Sequence, residues 1–279
     1  MPVLAASGIA PNGTPETAVN LIRLRELWYY RELIYFFAWR EMKVRYKQAV
    51  FGAAWAVMQP LAAMLIFTVV FGRLAKIPSD GLPYPVFAYT GLVLWTYFSS
   101  VVSHSSQSLI SNTNLVTKVY FPRIALPASY TISGLLDFAV SFCLVVILMA
   151  IYGLKPGTPL LLAPVFLAGT ILFTTGVGLL LAAVTVWYRD VKYTIPLLIQ
   201  LWFFATPVIF PASFVPERYR PVLFLNPMAG MVEGFRNCVL TSHWPSPSLT
   251  AVSLLMTLVT FVFGWTYFHY TERSFADVI

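Results

Sequence analysis

Charge is what this chain has least of. Only 10% of its 279 residues are Asp, Glu, Lys or Arg, whereas 58% are hydrophobic, and the mean hydropathy is +0.75. A soluble domain carries nearer a quarter charged residues, so the bilayer is the solvent this composition fits. Histidine and cysteine are also scarce. His104, His243 and His269 lie in separate regions, and Cys143 (in an apolar run) is far from Cys238 (in a loop). No metal framework or disulfide scheme follows from such spacing, and both cysteines read as small apolar fillers. There is no G-x-x-x-x-G-K-[ST] and no glycine-rich loop leading to a lysine, which excludes a nucleotide site of that kind. No stretch between apolar runs is long enough for a soluble domain. Residues 1–20 lack both a basic start and an apolar core, so they do not read as a secretory signal; a disordered cytoplasmic tail is expected.

What is present is unevenly distributed. Seven Lys/Arg fall between Arg23 and Lys47, and none between Phe51 and Phe71. A basic segment abutting about twenty apolar residues reads as a first transmembrane helix entered from the cytoplasm. Six segments are long enough to cross: Phe51–Phe71, Pro85–Ser106, Ile124–Tyr152, Pro159–Val186, Thr194–Phe210 and Leu249–His269. With both termini inside, twelve of the eighteen Lys/Arg lie on the inner side. That bias accounts for the net charge of +7 without nucleic acid, which is not expected as a partner. Val222–Leu240 is apolar enough to suggest a seventh crossing, but Asn226-Pro227, Gly230, Gly234, Glu233 and Arg236 interrupt it. Two short helices dipping in from the outer face, hinged near Asn226-Pro227, fit better. The expected fold is an all-α integral membrane protein. A tail (1–20) and an amphipathic interface helix (21–48) precede a six-span domain (49–279), with a re-entrant external hairpin before the last span.

Four features could carry function. At 100° per residue, Leu24, Leu27, Ile34, Tyr35, Ala38 and Met42 gather on one side of the N-terminal helix, and Arg25, Glu32, Arg40, Lys43 and Lys47 on the other. This pattern suits either a lipid-surface anchor or a docking lever. In the second inner loop, Asn112, Thr113 or Asn114 can cap a short helix that Pro122 stops. Its apolar stripe, Leu115, Val116, Val119 and Tyr120, needs cover from this chain or another protein. Asp137 lies well inside the third span with Ser133 and Ser141 a turn away on either side. It serves either helix packing or function. Aromatic residues reach 16%. Many suit the membrane boundaries, but Trp55, Trp95, Tyr97, Trp202, Phe203 and Phe204 lie inside spans, where aromatic faces could let a sugar chain slide.

Several segments together resemble a known family. They are Arg31-Glu32-Leu33, the run Arg40-Glu41-Met42-Lys43-Val44-Arg45-Tyr46-Lys47-Gln48, then Gly52, Trp55 and Pro60. Asn114-Leu115-Val116 with Lys118, Phe121-Pro122, Leu126-Pro127, Arg189-Asp190, Pro207 and Asn226-Pro227 follow in order. From Leu24 to Thr271 the chain resembles the membrane subunits of polysaccharide-exporting ABC transporters, the type-2 permeases for O-antigen, capsule or teichoic acid. Glu41 departs from the Asp more often seen there but keeps its charge.

The resemblance implies an inner-membrane, multi-pass subunit that is not itself an enzyme. Two copies would surround a channel for lipid-linked polysaccharide, and two cytoplasmic ATPase subunits would hold the ATP and magnesium, leaving this chain without a cofactor. It implies ATPase coupling through Asn114, Leu115, Val116, Lys118, Val119, Tyr120 and Phe121, together with Arg40, Glu41 and Arg45. Trp55, Phe67, Trp202 and Phe203 become channel-lining candidates, and Asn226, Pro227, Glu233 and Arg236 an external gate. A type-2 exporter of small molecules or drugs is the nearest alternative. A membrane-embedded glycosyl or acyl transferase would need an acid/base pair, and His104 with Asp137, expected at different depths, is the only candidate.

Overall fold

The computed structural model describes residues 29–47, 52, 54–119 and 121–275. The expected tail, the first part of the interface helix and Tyr120 fall outside these residues. Among the described residues the regular structure is helical throughout.

The first helix, α1 (Arg31–Lys47), has Arg45 and Lys47 in its last turn, where cations complement the helix dipole. Its buried side is Ile34, Phe37 and Ala38, the three-and-four spacing of a helix laid on a partner. The sequence grouping placed Tyr35 with Ile34 and Ala38, yet Tyr35 is 64% exposed and Phe37 only 5%. Arg40, Glu41 and Arg45 also turn partly inward. The packed face is chosen by polar partners on other helices, which a helical projection does not contain.

Helix α2 (Ala54–Phe67) runs on as a π-helical segment, Thr68–Leu74, and together they make a 21-residue candidate span. Helices α3 (Tyr84–Ser111) and α5 (Ala125–Ile151), and the segment Thr158–Trp187 ending in α6 (Ala163–Trp187), are also long and apolar enough to cross. So is Pro247–Ser274, which contains α10 (Pro247–Thr271). These five lie within a few residues of the segments expected from hydropathy. The central element is α3, packed against α5 and α6. Its Thr90 and Ser108 hydroxyls donate to carbonyls one turn back, Val86 and Ser105, so they sit in the core without unmet hydrogen bonds. Helices α6 and α10 cross closely, because a Cβ on Gly264 would run into the Gly176 carbonyl; small residues let backbones meet in this way.

The fifth expected span, Thr194–Phe210, differs from its expectation. Helix α7 (Val191–Phe204) has only 14 residues and contains Pro196. At about 1.5 Å per residue it is roughly 21 Å long, short of the ~30 Å hydrocarbon core. The chain continues without regular helix through Thr206–Ile209, all buried. Helices α8 (Arg220–Phe224) and α9 (Pro227–Leu240) follow, meeting at Asn226. The Asn226 side chain accepts from the Met228 N–H at 3.1 Å and so caps α9. The expected break into two short helices at Asn226-Pro227 is therefore the one that forms.

Candidate functional site

Helix α1 is tied to the bundle by its charged side chains. The Arg45 guanidinium pairs with the Asp137 carboxylate, to which the Tyr46 hydroxyl also donates. Asp137 is the thirteenth residue of α5, about 18 Å along it, and these two side chains are what satisfy it there. Burial, and then the bond to Asp137, push the Tyr46 phenol up to about 12, so at neutral pH it remains a donor. One turn earlier, Arg40 donates to Glu41 at 2.7 Å and to the Asn112 side-chain oxygen at 2.9 Å.

That second bond alters the expected role of Asn112. Its amide nitrogen donates to the Ser108 carbonyl at 2.9 Å, and its side chain does not cap the short helix α4 (Thr113–Lys118). It bridges α3 to α1 instead. The apolar stripe of α4 is split between inside and outside. Val116 is buried, and Leu115 packs against the same cluster as Phe37 and Phe121, whose rings lie 5.6 Å apart. Asn114, Thr117 and Lys118 are exposed, as is Val119, by 52%. Among the described residues of the stripe, the chain itself covers Leu115 and Val116 and presents Val119.

Phe67, Phe203 and Trp202 join an aromatic cluster with α3 and α6. Phe203 contacts Phe67 and Trp95 at 5.8 and 5.4 Å, and Trp202 contacts Phe98 and Phe173 at 5.3 and 5.7 Å. The Trp202 indole N–H donates to Asn226 at 3.0 Å. The open face of α7 is carried by Leu197, Leu198, Leu201 and Phe204 instead, and on α2 Trp55 is half exposed.

Arg236 is 1% exposed. It donates to the Pro207 and Val208 carbonyls at 2.9 Å each, pairs with Glu233 at 3.2 Å, and lies 3.7 Å from the centre of the Phe87 ring. Gly91 makes the room, since a Cβ there would lie 2.6 Å from the guanidinium. Of the two charges that argued against a seventh span, Arg236 thus satisfies the Pro207 and Val208 carbonyls of the broken backbone after α7, and Glu233 pairs with it.

Between α2, α3 and α5, beside the end of α1, lies a cavity of about 460 Å³. Asp137 and His104 both line it. His104 stacks on Tyr130, and its Nδ1 lies 2.7 Å from the Ser100 carbonyl.

The comparisons with known proteins agree with this architecture. The pattern of the ABC-2 type transporter family matches residues 32–240. The chain belongs to this family. It is 32% identical over 244 residues to the O-antigen export system permease protein RfbA of Myxococcus xanthus, covering 85% of this chain and 93% of that one. A permease of the same description from Klebsiella pneumoniae is 28% identical over 258 residues, 91% and 97% of the two chains. The polysialic acid transport protein KpsM of Escherichia coli is 24% identical over 236 residues, 84% and 92%. This ABC-2 chain is thus a multi-pass membrane protein whose relatives are transport subunits.

The site residues read from sequence fall into two groups within this ABC-2 chain. Arg40, Glu41 and Arg45 meet Asn112 and Asp137 on the side of α4. Asn226 meets Trp202, and Arg236, paired with Glu233, meets the backbone just after α7. The sequence reading missed Tyr46 as a partner of Asp137, and Gln59, Ser99 and Ser100 as cavity residues. A glutamine at the middle of an apolar run is the signal that could have found the cavity.

Proposed function

We propose that this chain is the transmembrane subunit of an ATP-driven exporter carrying lipid-linked polysaccharide of O-antigen type across the inner membrane. The path runs between two copies of the chain, and ATP is hydrolysed on a separate subunit. The similarity to three polysaccharide transport proteins over most of their length carries the substrate class. Geometry supports the path. Only 11% of the α2 span is buried, and α2 and α7 expose the side chains of Gln59 and Gln200 among largely apolar neighbours. Amides at membrane depth call for water, protein or a polar substrate against them.

Six crossings follow if α7 and the buried segment after it cross as one unit, with Arg236 supplying hydrogen bonds that a helix would make internally. An even number returns the C-terminus to the cytoplasm, in keeping with the Lys/Arg distribution. On that inner side, the outward residues of α4 meet the ATPase, and α1 relays its motion to α5 through Arg45 and Asp137. Helices α8 and α9 lie at the outer mouth.

Gentle purification of the tagged chain from its native membranes tests the reading. A stoichiometric ATPase subunit that is lost in Val119→Asp is the expected result. A chain that comes out alone, or with a sugar transferase, would sink it.

A further inference from the structure

The cavity between α2, α3 and α5 has a chemistry that selects among ligands. Trp55, Tyr97 and Phe138 supply aromatic surface, and Gln59, Ser100 and His104 supply polar groups. With Nδ1 against the Ser100 carbonyl, the His104 ring keeps Nε2 as an acceptor. Among the described residues Arg45 is the only Lys or Arg in the wall, and Asp137 already pairs with it. An anion such as a phosphate would therefore meet a spent cation beside a carboxylate. The described residues contain no cluster suited to a metal ion. A purely apolar molecule would strand the amide and hydroxyl groups. What remains is a neutral molecule with many hydroxyls and an apolar face, the description of a pyranose ring. The volume of about 460 Å³ lies within the range of small-ligand sites.

We propose that this cavity holds a pyranose unit of the exported glycan, stacked on aromatic rings and hydrogen-bonded by Gln59, Ser100 and His104. The site rests on the export reading and places a sugar-recognition point beside the end of α1. Because Arg45 and Tyr46 line the same cavity, its occupant touches the residues that anchor the interface helix.

Cysteine protection tests the proposal in the full chain with its native partners. Gln59→Cys and Ser100→Cys are introduced singly, with Cys143→Ala and Cys238→Ala in the background. N-ethylmaleimide labelling is compared between membranes of glycan-producing cells and of the same cells blocked in glycan synthesis. Both sites should label about tenfold more slowly with glycan present, the drop given by ~90% occupancy. Leu255→Cys, exposed on α10, should label equally in the two. Ser100 lies on the central helix and decides between the cavity and the path along α2. Equal Ser100→Cys rates in the two membranes overturn the proposal, and uniformly slow rates point to a phospholipid headgroup there. Surface glycan from the unmodified chain is scored in parallel. If it is present while the rates are equal, the cavity proposal alone fails; if it is absent, the export reading fails too.

Discussion

Asp137 illustrates how a single ionisable group can be kept in an apolar helix. Its carboxylate and the Arg45 guanidinium are each about a quarter exposed, and hydrogen bonds to charged groups contribute roughly 1.5–3 kcal/mol. Asp137→Asn should lower the melting temperature in detergent, and Arg45→Met should do the same. The double variant should lose less than the sum, because neither leaves a charge without its partner. A strictly additive cycle would mean that the pair does not couple. Arg236 is a stricter case, being fully buried. Arg236→Leu removes the ion-pair partner of Glu233 and the donor to two carbonyls and should cost about 3–5 kcal/mol. Arg236→Lys keeps the charge but not the planar fork over Phe87, and should fall between the two. Thermal unfolding of the purified protein ranks the three. Neither residue's role could be read from sequence, since Arg45 meets a residue 92 positions away and Arg236 meets backbone.

Among the elements, α4 makes the most discriminating prediction. Val116 is 3% exposed and Val119 is 52% exposed, three residues apart on a six-residue helix and its end. Val116→Asp buries a charge among Phe37, Leu109 and Leu126 and should reduce the amount of folded protein in the membrane. Val119→Asp should leave that amount unchanged and abolish export. Equal membrane levels of the two variants, measured by blotting, would contradict the division of the stripe. Periodicity alone grouped these residues, and correctly demanded cover for them. It could not say that α1 and Phe121 supply part of that cover. The same limit explains α1, where the projected apolar side and the packed side differ at Tyr35 and Phe37. On a helix with apolar residues on more than one side, the polar partners set the rotation.

For the whole molecule, the open faces of α2 and α7 bear on assembly. The buried but irregular backbone after α7 requires shielding from lipid, and a second copy against α2 and α7 would extend that shield. Cysteines at Ile66 and Leu201, both well exposed, should cross-link between copies in native membranes. A cysteine at Val259 of α10, equally exposed, should not. Cross-linking at Val259 alone would move the interface to another face.

Hydropathy and the placement of Lys and Arg were enough to determine a helical membrane protein and five of its long helices. The reason is that a bilayer imposes length and apolarity on each crossing independently of its neighbours. The break at Asn226-Pro227 was equally local, since proline and a capping asparagine act within one turn. Only the tertiary structure decided that the fifth apolar segment forms a short helix and a buried irregular stretch, because Arg236 satisfies its carbonyls from another helix. It alone gathered Asp137, His104 and Gln59 from three helices around one cavity, since distances between helices depend on how they pack and leave no mark in any single segment.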